Sequence, residues 1–139
     1  EDNVIPASNS VMAHNLQALS VYFGLPHYAK IARGMLDRIT PTIDYPSAFS
    51  NWLDLYLDFS GENRELAITG PEATHFAMTI QREYGPQILF AAGTHASTLP
   101  FLRDRFSPGK NLFYVCQNQS CDLPTSDFEA AKGQLTTHR

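Results

Sequence analysis

Tyr114-Val115-Cys116-Gln117-Asn118-Gln119-Ser120-Cys121-Asp122-Leu123-Pro124 holds both cysteines of the 139-residue chain, with four residues between them. An apolar, strand-like run gives way to a polar loop at this point. Two thiols placed so can close a short-loop disulfide, supply half of a metal site, or simply pack as small apolar groups. A strand end followed by a turn can bring two Cα atoms within the ~7 Å that a bridge requires. The four-residue spacing differs from the two-residue spacing of redox motifs, and no Lys or Arg lies inside the motif to lower a thiol pKa. The helix that begins near Ser126 is one source of positive potential. Leu112, Phe113 and Val115 mark the strand as a core strand. The residues therefore predict a structural pair, Cys116 and Cys121, both reduced, with Cys116 buried and inert.

Zinc needs four ligands, or three and a water. The histidines nearest in sequence, His75, His95 and His138, share no ligand spacing, so no metal site and no cofactor are expected. A second polar cluster, Ser8, Asn9, Ser10 and His14 with Asn15, is neutral and sits at the start of a helix. Such groups can hydrogen-bond a sugar-like ligand, or they can cap the helix and hydrate a cavity. An epimerase or glycosidase needs an acid/base pair of carboxylates or histidine. Only Glu1, Asp2 and His14 lie near, so no catalytic residue is assigned. Asp54 and Asp58 read as a solvated helix face. Gly70-Pro71-Glu72 has the position of a phosphate-binding helix start, yet Pro71 removes a donor and Glu72 repels an anion.

Composition narrows the classes further. A formal charge of −4 without a basic stripe argues against nucleic-acid and anionic-membrane partners. Residues 3–29 carry no formal charge, but Asn, Ser, Gln and His interrupt them too often for a membrane span. Two cysteines are too few for a disulfide-stapled secreted scaffold, and no signal-peptide pattern is present. A reducing, cytoplasmic setting follows as the default. The chain begins at Glu1-Asp2-Asn3 without a methionine and reads as a piece of something longer.

The elements that must position these groups fall into two textures. Residues 9–23 form an amphipathic helix with Val11, Leu16, Leu19 and Phe23 on one side, ended by Gly24. Residues 26–39 place Tyr28, Ile31, Ala32, Met35, Leu36 and Ile39 at helical spacing, stopped by Pro41. A third helix starts at Pro46 and is expected to bury Phe49, Trp52, Leu53, Tyr56 and Leu57. After Gly61-Glu62-Asn63 the pattern alternates between strand and helix. Strands are predicted at 65–69, 87–91 and 111–116. Helices are predicted at about 72–84, 97–105 and 126–135, the last with Ser126 as N-cap and Glu129 completing a capping box. Short links between strands and helices predict a parallel sheet.

Three segments resemble the C-terminal end of the spermatogenesis-associated, thioredoxin-domain-containing protein family. Asp2-Asn3-Val4-Ile5-Pro6-Ala7-Ser8-Asn9-Ser10 stands where the family carries Asp-Gly-Ala-x-Pro-Ser-Gly/Ala-Asn-Ser. Glu65-Leu66-Ala67-Ile68-Thr69-Gly70 matches its Glu-(apolar)-Val-Ile-x-Gly strand. Tyr114 to Pro124 matches Tyr-Val-Cys-x-Asn-x-x-Cys-x-x-Pro residue for residue. Ala7 and Ser8 replace the family's Ser and Gly/Ala, so the first serine hydroxyl is missing here.

The resemblance implies a mixed α/β chain. Residues 1–61 would be the closing helices of an incomplete (α/α) barrel similar to N-acylglucosamine 2-epimerases and six-hairpin glycosidases. Residues 62–139 would be a small three-stranded parallel α/β unit. The implied partners are the thioredoxin-like domain and the rest of the barrel, with a sugar-like ligand at Ser8, Asn9, Ser10 and His14. The implied role is a non-catalytic C-terminal segment. Its alternatives are a share in a carbohydrate-active barrel, or a thiol-redox accessory built on Cys116 and Cys121.

Overall fold

The computed structural model describes residues 1–2, 5–61, 64–84 and 88–136, and the chain divides into two compact units, Glu1–Glu62 and Asn63–Arg139. Asn3, Glu62, Asn63, Gln87 and His138, which enter the readings above, lie outside the described residues.

The first unit is helical: α1 (Ser8–Phe23), α2 (Pro26–Ile39) and α3 (Ser50–Phe59), with 3-10 turns at Thr40–Thr42 and Pro46–Phe49. Gly24 ends α1 in the left-handed conformation, φ 62°, which glycine adopts without penalty. Small residues let α1 and α2 approach closely. Ala13 and Ala32 are fully buried, and Leu36, Phe49, Trp52 and Leu55 complete the core around them. This differs from the predicted faces. Val11, Leu19 and Phe23 of α1 are exposed, as is Ile31 of α2. In α3, Trp52 and Leu55 point inward while Tyr56 and Leu57 are 53% and 61% exposed. The cause is the tight turn at Pro46–Phe49, which delays the α-helical phase until Ser50.

Asp2 fixes where α3 begins. Its buried carboxylate accepts the backbone N–H groups of Asn51 (3.0 Å) and Trp52 (3.4 Å), which open the helix. It also accepts Ala7 N–H (2.9 Å) and the Ser10 hydroxyl, so one carboxylate ties the approach to α1 to the start of α3. Helix starts leave such donors unsatisfied, and an anion there is favoured by the helix dipole.

The second unit is a sheet with strand order β2-β1-β3-β4, where β1 is Glu65–Thr69, β2 Leu89–Gly93, β3 Leu112–Gln117 and β4 Ser120–Cys121. The mixed α/β class is as predicted; the all-parallel sheet is not. β1 and β2 are parallel, joined through α4 (Ala73–Tyr84), but β3 runs antiparallel to β1 and β4 antiparallel to β3. The predicted helix at 97–105 would have carried the chain back for another parallel strand. Residues 97–105 make only turns, with Leu102 and Arg103 N–H both donating to Leu99 O at 2.8 Å. Pro108-Gly109 then turns the chain into β3, with Lys110 N–H on Ser107 O.

Alternation along the strands gives the sheet two chemically different faces. Leu66, Ile68, Phe113 and Val115 pack with Ala73 and Ile80 of α4 and with Ala131 and Leu135 of α5 (Phe128–Thr136). Phe76, Phe113 and Phe128 meet there with ring centroids 4.8–5.2 Å apart. The cap of α5 is Asp127, not the predicted Ser126: its Oδ1 accepts Glu129 and Ala130 N–H. The other face carries Glu65, Thr69, Tyr114 and Cys116, and the turn segment between β2 and β3 supplies the groups that meet them. Gly70 permits this segment to lie close, because at φ 133° a Cβ there would fall 2.4 Å from Lys110 O.

The Asp2 tie generates a test. Burial alone would raise its pKa, but the bonds from Ser10, Ala7, Asn51 and Trp52 outweigh burial and lower it. Its stabilisation is therefore present above the unfolded carboxylate pKa of about 4 and lost as pH falls through the lower folded value. Asp2→Ala should cost the helical unit about 2 kcal/mol at neutral pH and flatten this acid-linked loss. Urea unfolding across acid pH, read by the fluorescence of buried Trp52, checks both effects.

Candidate thiol–disulfide site

Cys116 and Cys121 are register partners on β3 and β4, and they are joined as a disulfide. The expectation of two reduced thiols is thus corrected, while the burial expected of Cys116 holds at 1% exposure. What the sequence hid was the hairpin. Asn118 and Gln119 both take positive φ, 51° and 65°, forming a two-residue turn whose twist suits a tight hairpin. Gln117 then pairs with Ser120 and Cys116 with Cys121, while Asp122 N–H donates to Val115 O at 2.9 Å. Asparagine tolerates the left-handed region and glutamine seldom does, so the chain pattern gave only half of the signal.

The row extends one strand further. Glu65 on β1 is the register partner of Cys116, so Glu65, Cys116 and Cys121 lie side by side across three strands. Arg105 supplies the cation that the motif itself lacks. Its Nη1 lies 3.4 Å from Cys116 Sγ and its Nη2 3.2 Å from Cys121 Sγ. The guanidinium is stacked between the rings of Phe101 and Tyr114, with centroid distances of 5.3 and 5.1 Å. The backbone beneath it is equally fixed: Arg105 O accepts the hydroxyls of Thr69 (2.9 Å) and Tyr114 (3.0 Å). Burial lowers the arginine pKa, and the neighbouring Tyr114 and Glu65 pull it back up. An arginine stays charged under such shifts.

Glu65 is buried, and among the described residues its Oε2 has no hydrogen-bond partner. Burial raises its pKa above the ordinary carboxylate range; Gln119 N–H and the charge of Arg105 offset this only in part. A partly accessible disulfide, a cation touching both sulphurs and a carboxyl biased toward its neutral form are thus gathered on one sheet face. That set suits thiol–disulfide exchange, in which a thiolate must form and be stabilised. Neither Glu65 nor Arg105 was predicted. The clue for Glu65 was an acidic residue heading a five-residue strand that is buried throughout. Arg105 lies eleven residues before Cys116 in an irregular segment, where no periodicity marks its direction.

The other candidate residues fall elsewhere. Ser10 is buried on Asp2 and Ala7 O. His14 holds Asn51 O through Nε2 at 2.7 Å, with Nδ1 3.7 Å from Asp58. Ser8 and Asn9 are exposed on the first turn of α1. A sugar-like ligand would find two of the four groups already engaged within the helical unit. The start of α4 is also occupied, because Glu72 N–H donates to Asn111 Oδ1 and Asn111 Nδ2 donates to Glu72 Oε2. His75 and His95 are exposed, and among the described residues no three of His, Cys, Asp or Glu converge to hold a metal ion. A cleft of about 100 Å³ between Arg64, Gln117, Ser120 and Asp122 has room for a few waters but not for a sugar. Among the described residues no helix is long and apolar enough to cross a membrane.

No protein-family model, curated protein or solved structure matches this chain.

The closed loop spans six residues, so chain-entropy arguments give the bridge about 2 kcal/mol of stabilisation. Reducing the protein, or replacing both cysteines by alanine, should lower the stability of the second unit by about that amount. Hydrogen exchange of the β1 and β3 amides with and without reductant reads the difference directly.

Proposed function

We propose that the second unit is a thiol-redox accessory whose Cys116–Cys121 bond is made and broken reversibly. The observation that carries this reading is the single guanidinium of Arg105 set against both sulphurs. In a structural staple a half-buried cation has no task at the sulphurs. In an exchange reaction it meets the charge that develops when the bond opens.

Cys121 is the more accessible sulphur, so the thiolate of an incoming dithiol attacks its Sγ. A new S–S bond forms, the Cys116–Cys121 bond breaks, and the electron pair goes to Cys116 Sγ beside Nη1. The second thiolate of the dithiol then attacks the dithiol's own sulphur in the mixed disulfide. This releases an oxidised dithiol and leaves Cys121 as a thiolate beside Nη2. Both cysteines take up protons, and oxidation runs the same steps in reverse. In a reducing cytoplasm, the compartment proposed from cysteine usage, a bond of this kind turns over.

Arg105→Met keeps much of the packing against Phe101 and Tyr114 but removes the charge. Reduction by excess dithiothreitol should then slow about tenfold, and the alkylation pKa of the reduced thiols should rise toward the free value of ~8.5. A bond that resists dithiothreitol in the native protein, or exchange unaffected by Arg105→Met, would overturn the reading.

A second reading concerns residues 1–61. We propose that they pack against further helices of an (α/α) barrel within a larger, thioredoxin-domain-containing protein, as the resemblance implies. Exposed Val11, Met12, Phe23, Ile31, Tyr56 and Leu57 support it, since three helices of an ordinary monomer would turn several of these inward. Hydrophobic-dye fluorescence should exceed that of an ordinary monomer of this size, or light scattering should reveal self-association that hides the surface. If neither is observed, the barrel reading loses its support.

A further inference from the structure

We infer, granting the thiol–disulfide reading, that Glu65 hands Cys116 the proton it takes up on reduction and accepts it back on oxidation. The geometry is direct. Glu65 and Cys116 are cross-strand partners, and side chains so placed have Cβ atoms about 4.5–5.5 Å apart, within reach of a carboxyl. The carboxyl is buried, and among the described residues its Oε2 has no hydrogen-bond partner. An unsatisfied buried oxygen is costly, and a group kept only for packing would be expected to avoid it. β2 offers apolar Leu89, β3 offers Cys116 and Tyr114, β4 offers Cys121, the hairpin turn offers Gln119 N–H, and the segment before β3 offers Arg105.

The proton balance follows. When Cys116 leaves as a thiolate, neutral Glu65 gives it a proton, producing a thiol and a carboxylate. Arg105 then faces the negative charge at Glu65 in place of the one at sulphur, so the buried net charge does not change. On oxidation the carboxylate removes the proton from Cys116, whose thiolate attacks the mixed disulfide at Cys121. Burial holding the carboxyl toward its neutral form serves the reductive direction.

The test is the pH profile of reduction by dithiothreitol, each rate constant expressed per thiolate form of the reductant. For wild type it should fall as pH rises through a titration above the ordinary carboxylate range. For Glu65→Gln, which keeps the shape and loses the labile proton, it should be flat and about tenfold slower at the acid end. Superimposable profiles for the two proteins, with exchange intact in both, would overturn the role of Glu65 and leave the site reading standing. A bond that dithiothreitol cannot open in either protein would overturn both. Carboxyl NMR on oxidised wild type gives a check that needs no variant. Titration of Glu65 at the ordinary value of about 4.3 would sink the inference, and titration above it supports it.

Discussion

A half-buried guanidinium still needs partners, and in the second unit the placement of Arg105 orders much of what surrounds it. Its carbonyl anchors Thr69 at the end of β1 and Tyr114 in the middle of β3, so the segment before β3 is held to the sheet by backbone as well as side chain. Its planar head needs flat partners, and Phe101 and Tyr114 provide them. The segment that carries Arg105 follows an irregular path of turns over 97–105. One face of the sheet is therefore covered by ordinary apolar helices and the other by an irregular strap. The irregular side is where the polar chemistry is.

The helical unit solves an analogous problem with the opposite sign. There the buried charge is the Asp2 carboxylate, and its partners are backbone N–H groups at a helix start. The two solutions differ in consequence. Asp2 is surrounded by donors and stays an anion, which makes it a fixed structural tie. Glu65 has one backbone donor and an unsatisfied oxygen, which leaves its protonation open to change. A carboxylate holds a shape when its bonds are complete and carries chemistry when they are not.

Much of the architecture was legible in the chain. Gly24 and Pro41 bracketed α2, the β1 boundaries were readable to the residue, and the run Leu112 to Val115 announced a buried strand. What escaped has physical reasons. Strand direction depended on whether 97–105 formed a helix, and its apolar residues Phe101 and Leu102 fit a short helix or a strap equally well. The inward face of α3 shifted because a 3-10 turn does not advance the helical phase as an α-turn does. Cysteine pairing hinged on two consecutive residues adopting positive φ, a property of the hairpin and not of either residue type. Arg105 and Glu65 were invisible for a related reason: strand register sets Glu65 opposite the distant Cys116, and an irregular segment brings in Arg105. The absence of a cation from the cysteine motif was correctly seen, but proximity along the chain was the wrong place to look.

The hairpin that carries Cys121 is also the border of the sheet. β4 is two residues long, and Asp122-Leu123-Pro124 follow it. A longer strand here would present a run of unpaired amide and carbonyl groups, the template on which chains recruit one another into extended aggregates. The chain stays beside β3 past Cys121, with Asp122 N–H on Val115 O and Thr125 bridged to Phe113, and the proline between them offers no donor. A covalent link at such a margin does more than stiffen a loop. While it is closed, Cys121 cannot part from Cys116, and the covering of β3 is held at that point by a covalent bond.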